Sequence, residues 1–377
     1  MSPAFLLRAL TGGLLAVMLA TPVHASGHGA DKPAAEKPPE PPPPPRPKKP
    51  APPKVQPVRK VPEGGFDKVS FGTNWVAEAE HGGFFQAVAD GTYKAYGLDV
   101  GIVPGGPNIN NRALLIAGKL DFFMTANTLQ SFDAVANGVP VVAIAAIFQK
   151  DPQVFVSHPE SKIETLTDLK PLTLFVSKEG IASYFQWLRS EYGFSEAKVK
   201  PYTFNPQPFI IDRRSAMQGY VTSEPFTVEQ AAKFKPSVLL LADYGLNGYS
   251  TLIETRRDLI ETNPDMIQRF VDASIIGWYH YLYGDNSAGN AMIKQLNPEM
   301  TDEMLAYSVD KMKQYGIVDS GDAIKNGIGA MSDDRYASFF DKMARAGVVT
   351  RGLDFRKAYT LQFVNKGVGV DLRPNQK

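Results

Sequence analysis

The chain has 377 residues, 44% hydrophobic and 21% charged, which suits a folded protein of more than one domain. Its 40 Lys+Arg and 39 Asp+Glu leave a net charge of +1, but the balance is uneven: residues 26–65 hold eight basic and four acidic side chains, while 66–377 hold 31 and 35. A net-acidic folded part argues against a nucleic-acid partner. The absence of cysteine excludes disulfides, thiolate metal sites and a Cys nucleophile.

The first 25 residues have the build of a signal peptide. Arg8 precedes an apolar run over 9–20, and Val23 and Ala25 stand at −3 and −1 to a cut before Ser26. An uncleaved membrane anchor is the alternative; cleavage implies export, read here as bacterial periplasm. Residues 31–62 hold 14 of the 30 prolines. Such a run cannot bury a core and predicts extended polyproline II, reaching roughly 100 Å at about 3.1 Å per residue. It is either a spacer or a leader without a partner. The expected segments are therefore a leader over 1–25 and a Pro-rich linker over 26–65.

From 66 onward, short β-rich runs alternate with helical patterns. Strands are expected at 69–73, 98–103, 120–124, 139–147, 153–156, 172–176 and 238–242, and helices at 81–95, 108–118, 129–137 and 182–192. This alternation predicts α/β layers with mostly parallel sheets. Beyond Asn263-Pro264 the chain turns helical, with later helices starting at Thr301 and Ser332 and stopping at Gly316 and Gly347.

Enzyme signatures are sparse. GxGxxG, Walker and GxSxG patterns are missing, and His81, His158 and His280 lack metal-ligand spacing, so neither a metal nor a cofactor is expected. The Gly-rich pieces PGGPN (104–108) and KEGIAS (178–183) read as ordinary turns or as loops presenting N–H groups to a ligand.

The run FGTNWVAEAEHGGFFQAVADGTYKAYGLDV (71–100) carries a resemblance, and LLIAGKLDFFMTAN (114–127), VPVVAIAAIF (139–148), SKEGIASYF (177–185), GYVTSEPF (219–226) and RRDLIETNPDMIQRFVDA (256–273) follow it in order. The set resembles the solute-binding proteins related to thiamine-pyrimidine binding proteins and pyrimidine synthases, whose wider relatives bind sulfonates, taurine and nitrate. The resemblance implies a two-lobed periplasmic binding protein of type II, with mixed sheets flanked by helices, a ligand cleft between the lobes and a helical C-terminal region. By analogy the first lobe spans 66–152 and 255–377 and the second 153–254, with crossings at 153–157 and 251–254. It also implies ABC permease and ATPase subunits as partners, a monomer, and delivery of a small molecule, first a planar nitrogen heterocycle and second an alkanesulfonate-like anion. A tethered ligand sensor for a membrane partner is the competing use.

The family includes an enzyme that holds pyridoxal phosphate through a lysine, with a histidine four residues later. Those positions fall here on Thr125 and Leu129, and the enzyme's cysteine cluster on 245–249, so no catalysis is expected. The resemblance and the strand ends nominate nine ligand-binding residues. Trp75 offers a face for a planar ligand, or a core ring. Asn74 offers an amide, or a helix cap. His81 matches a family contact, although the Pro-Asn before it is replaced by Ala77-Glu78. Asn127 follows a strand-like run; Ser177, Gly180 and Ser183 form a loop suited to a polar or anionic group. Glu224 matches an acidic residue that receives amino groups, and Tyr249 closes the pocket edge, or sits in the core.

Overall fold

The computed structural model describes residues 65–106 and 109–374. The leader and nearly all of the Pro-rich linker lie outside the described residues. Ten strands form two five-stranded sheets. The first, in the order β2-β1-β3-β10-β4, contains β1 (Asp67–Gly72), β2 (Leu98–Val103), β3 (Phe122–Asn127), β4 (Val141–Phe148) and β10 (Ser250–Arg256). The second, β7-β6-β8-β5-β9, contains β5 (Gln153–Ser157), β6 (Thr173–Val176), β7 (Val199–Pro201), β8 (Ser215–Tyr220) and β9 (Ser237–Leu240).

Both sheets are mixed, as the family resemblance implied, and mostly parallel, each with a single reversed strand. β1 pairs parallel with β2 and β3, but β10 enters antiparallel between β3 and β4. In the second sheet β6 is parallel to β7 and β8, while β5 runs antiparallel to β8 and β9. The antiparallel members, β5 and β10, are the first strands after the chain passes from one sheet to the other. The expected second-lobe limit at 254 falls inside β10. Residues 251–254 are β-prone because they lie in a buried strand of the first sheet, so the return crossing is earlier, between β9 and β10.

Local chemistry sets the helix limits. The expected helix over 81–95 breaks into Gly82–Ala89 and Thr92–Ala95 around Gly91, whose φ of +81° suits glycine. The one expected over 182–192 becomes Lys178–Ala182 and Tyr184–Tyr192. Thr301 caps Asp302–Gln314 by accepting from Met304 N at 3.2 Å. Ser332 precedes Asp333–Arg345 without a side-chain cap bond, because its hydroxyl faces Asp322 and Tyr249.

All eight residues of β4 are buried although it lies at a sheet edge. C-terminal chain covers that edge: Ala146 N donates to Gly329 O at 3.0 Å and Thr360 N to Ala143 O at 2.9 Å. On the other side, helix Gly82–Ala89 packs against the buried helix Pro264–Tyr283. A Cβ on Gly83 would lie 2.2 Å from the Trp278 ring, and one on Gly277 would lie 2.3 Å from Gly83 O. Glycine is required at this crossing. Gly83→Ala should therefore destabilise the chain by about 1–3 kcal/mol, the usual cost of overpacking, read as a lower denaturant midpoint at unchanged slope.

Candidate functional site

The turn after β1 is fixed by its neighbours. Thr73 N donates to Val103 O at 3.0 Å and the Thr73 hydroxyl to Trp75 O at 2.8 Å. Gly105 N donates to Trp75 O at 2.9 Å, and a Cβ on Gly105 would stand 2.5 Å from Thr73 O. The Gly105 N–H of the PGGPN loop therefore holds the Asn74-Trp75 turn. Asn74 Oδ1 is buried without a hydrogen-bond partner. Trp75 is partly buried, and its ring lies 5.7 Å, centroid to centroid, from Phe204 of the other lobe.

Three carboxyls meet where this turn faces the end of β8. Glu80 accepts a hydrogen bond from the Thr222 hydroxyl across the lobes, and Ser308 Oγ donates to Thr222 O at 2.7 Å. Glu224 Oε2 accepts from Tyr220 N at 2.7 Å, and a Cβ on Gly219 would meet Glu224 Cβ at 2.6 Å. Burial first, then the neighbouring Glu80 and Glu224, pushes Glu78 well above the usual carboxylate range. Burial likewise raises Glu80, against the opposing Thr222 hydrogen bond, and raises Glu224. None of the three forms an ion pair with Lys or Arg among the described residues; Glu78 has only His81 Nε2, at 3.8 Å. Burial drives that imidazole down to about 3, so it is neutral, and its Nδ1 is unpartnered.

Beside this cluster lies a recess with about 340 Å³ of empty space, open mouth included. Asn127, Ser183, Tyr249, Asp151, Tyr184 and Phe339 are among its lining residues. Asp151 is pushed up to about 6 by burial, with Gln153 N donating to it at 2.9 Å. Tyr220 joins the two: it pairs in the sheet with Gln153 of the recess lining and its N–H donates to Glu224; its hydroxyl is raised by burial and then by Asp151, Glu78, Glu224 and Glu80.

The nine nominated residues separate accordingly. Asn127, Ser183 and Tyr249 share the recess; Asn74, Trp75, His81 and Glu224 belong to the turn and cluster. Several have structural work. Asn127 caps helix Thr128–Ala136, Ser177 Oγ accepts from Gly180 N at 3.1 Å, and the Ser183 hydroxyl donates to Glu179 O at 2.6 Å. Gly180 leaves room for Tyr184 and Gln218, which a Cβ would crowd. Tyr249 donates to Asp322, accepts from Ser332 N at 2.9 Å and lies under the Arg335 guanidinium. Sequence reasoning missed Glu80, Asp151, Thr222 and Phe204. Glu78 was visible only as a departure from the family pattern.

Residues 78–285, more than half of the chain, match the NMT1/THI5-like family. The chain belongs to that family. This NMT1/THI5-like chain is 22% identical over 306 residues to the riboflavin-binding protein RibY of Chloroflexus aurantiacus, covering 80% of itself and 87% of that protein. In fold it is similar to the periplasmic aliphatic sulphonate binding protein SsuA from Escherichia coli, with TM-score 0.59 and 15% identity over 77% of this chain and 91% of that one. The periplasmic nitrate-binding protein NrtA from Synechocystis follows, with TM-score 0.50 and 14% identity over 79% and 86%. The architecture is that of the periplasmic binding proteins. No helix of the described residues is long and apolar enough to cross a membrane.

The raised glutamates make a stability prediction. A carboxyl whose folded pKa lies above its unfolded value contributes stability below the unfolded pKa and loses it as pH rises through the folded one. Glu78→Gln removes that loss. Its melting temperature should exceed the native chain's at pH 8 by roughly 2–4 °C, and the gap should close toward pH 4. A constant gap at all pH values would mean Glu78 is ionised throughout.

Proposed function

We propose that this chain is an exported solute-binding protein that clamps a planar nitrogen heterocycle bearing N–H donors and passes it to an ABC permease and ATPase. Export follows the leader ending at Ala25, and the molecule acts in the periplasm. The observation carrying the ligand class is the polar character beside Trp75. Among the described residues, Asn74 Oδ1 is a buried acceptor without a donor, and Glu78, Glu80 and Glu224 have no Lys or Arg ion-pair partner. Each of these groups accepts hydrogen bonds, so the complementary ligand edge is one that donates. An amino group beside a ring nitrogen fits best, because a protonated carboxyl can donate to the ring nitrogen while accepting from the amine.

An alkanesulfonate offers the opposite edge, oxygen acceptors carrying negative charge. The loop suited to anions has internal uses for its groups, since Ser177 Oγ takes Gly180 N–H and Ser183 donates to Glu179 O. The RibY comparison favours the heterocycle reading too, since riboflavin carries a flat nitrogen ring system. Catalysis through an imine has no place here, because the position of the enzyme's lysine is Thr125, whose hydroxyl donates to Gln130 Oε1 at 2.7 Å.

The test is thermal-shift screening and calorimetry with 4-aminopyrimidine, riboflavin and methanesulfonate. A heterocycle at a hundred times its Kd should stabilise the chain by about 2.7 kcal/mol, while methanesulfonate leaves the midpoint unmoved. Glu224→Gln should weaken heterocycle binding by roughly five- to 150-fold, the range for a buried hydrogen bond broken on one side. A shift with methanesulfonate alone would reverse the ligand class.

A further inference from the structure

Phe204 is at odds with its surroundings. The residue is 58% exposed, although most aromatic residues of this chain are buried. Its backbone lies at φ +61°, in the left-handed region. For a bulky residue without a glycine's freedom this conformation costs about 1–2 kcal/mol and occurs where neighbouring structure imposes it. Lys162 and Lys233, also left-handed, close the ends of helices. Phe204 closes none; it precedes the short helix Gln207–Ile211, with Asn205 Oδ1 accepting from Gln207 N at 3.0 Å.

The strain puts the ring across the cleft. Phe204 comes from the second lobe, yet its centroid is 5.7 Å from that of Trp75 in the first, with the planes at 42°. Behind it stands Tyr202, 5.4 Å away and buried, whose hydroxyl is raised by burial and then by Glu224. A chain of ring contacts thus runs from Trp75 through Phe204 to Tyr202.

We propose that Phe204 and Trp75 are the two faces of an aromatic clamp, Phe204 being the moving face, that sandwiches the flat ligand and selects for flatness. A sandwich needs parallel rings about 7 Å apart, twice a stacking distance of roughly 3.5 Å. From 5.7 Å and 42°, the rings need only turn parallel and separate by about 1–2 Å. The loop can supply this because Phe204 is exposed and its left-handed residue has a lower-energy conformation to relax into. Stacking rewards two π-faces and gives nothing to a tetrahedral sulfonate, so Phe204 acts on selectivity and residence time. This inference rests on the heterocycle reading of the cleft.

Trp187 and Trp278 are 1% and 0% exposed, so acrylamide quenching of tryptophan emission reports Trp75. The variants are Phe204→Ala, Phe204→Asn, which tolerates the left-handed backbone but lacks the ring, and Phe204→Tyr, which keeps the ring. Riboflavin, whose emission falls on aromatic stacking, serves as the rate probe, with 4-aminopyrimidine by calorimetry. The Ala and Asn variants should release riboflavin about five- to thirty-fold faster, the effect of losing one aromatic stack, and expose Trp75 to acrylamide. The Tyr variant should match the native chain, Ala should melt like it, and Asn should melt no lower because asparagine relieves the left-handed backbone. Heterocycle binding by the native chain with unchanged release from Ala and Asn overturns the clamp and leaves the heterocycle reading standing. Failure of the native chain to bind either heterocycle overturns that reading and the clamp with it.

Discussion

The close crossing of helices Gly82–Ala89 and Pro264–Tyr283 governs the rest of the cleft. Gly82 and Gly83 lie against the rings of Tyr281 and Trp278, and Gly277 lies against Gly83 O, all closer than a side chain allows. Contact this tight fixes the first helix along and around its axis. The turn over 74–81 enters directly into that helix, so Trp75, Glu78, Glu80 and His81 inherit their positions from the glycine contact. The other end of the turn is held by Gly105 and Thr73. A rigid first lobe results, against which the second can close.

That closure is already made through polar groups. Thr222 links to Glu80 by its hydroxyl and to Ser308 by its carbonyl, so one residue of the second lobe is bonded to two elements of the first. Aromatic contact between Trp75 and Phe204 adds an apolar point at the mouth. The glutamates around this latch are expensive to bury when ionised, and among the described residues no ion pair with Lys or Arg offsets the cost. Folding satisfies them in part, with Glu224 drawing on Tyr220 N and Glu80 on Thr222. Glu78, whose side chain keeps 21% of its surface exposed, has only the neutral His81 ring nearby, at 3.8 Å. Function explains that imbalance better than stability does, since a substitution to an uncharged residue would relieve it.

Much of the fold was legible because apolar runs and glycine breaks mark it. The runs at 98–103 and 139–147 are strands to within two residues at each end. β8 was invisible as a strand. Its sequence SAMQGY has neither alternation nor β-branched residues, and it is a strand because β5 and β6 pair with it on both sides. β10 was legible as β-prone but assigned to the wrong side of the crossing, because propensity carries no information about partners. Position was legible where a motif placed a residue just past a strand end, as for Asn74 and Trp75 after β1. It was opaque where folding joins distant segments: nothing in AEAEH or in SEPF alone shows that their carboxyls converge. Phe204 was harder still, since one aromatic in a polar stretch reads as an ordinary surface residue until its backbone angle and its distance from Trp75 are known.

Under the heterocycle reading proposed above, the arrangement divides the labour of recognition between kinds of force. Stacking at the mouth is tolerant of substituents on a flat ring and contributes residence time. The inner carboxyls and Asn74 are intolerant, because each demands a donor at a set position and penalises an unmatched ligand by the desolvation of a buried polar group. His81, kept neutral by burial, adds no positive charge that would invite an anion. The sulphonate-binding and nitrate-binding proteins share the frame of two sheets, but the frame does not choose the charge of what lies between them. In this chain Glu78, Glu80 and Glu224 stand on a turn and a strand end that the glycine crossing and the Thr222 latch hold face to face.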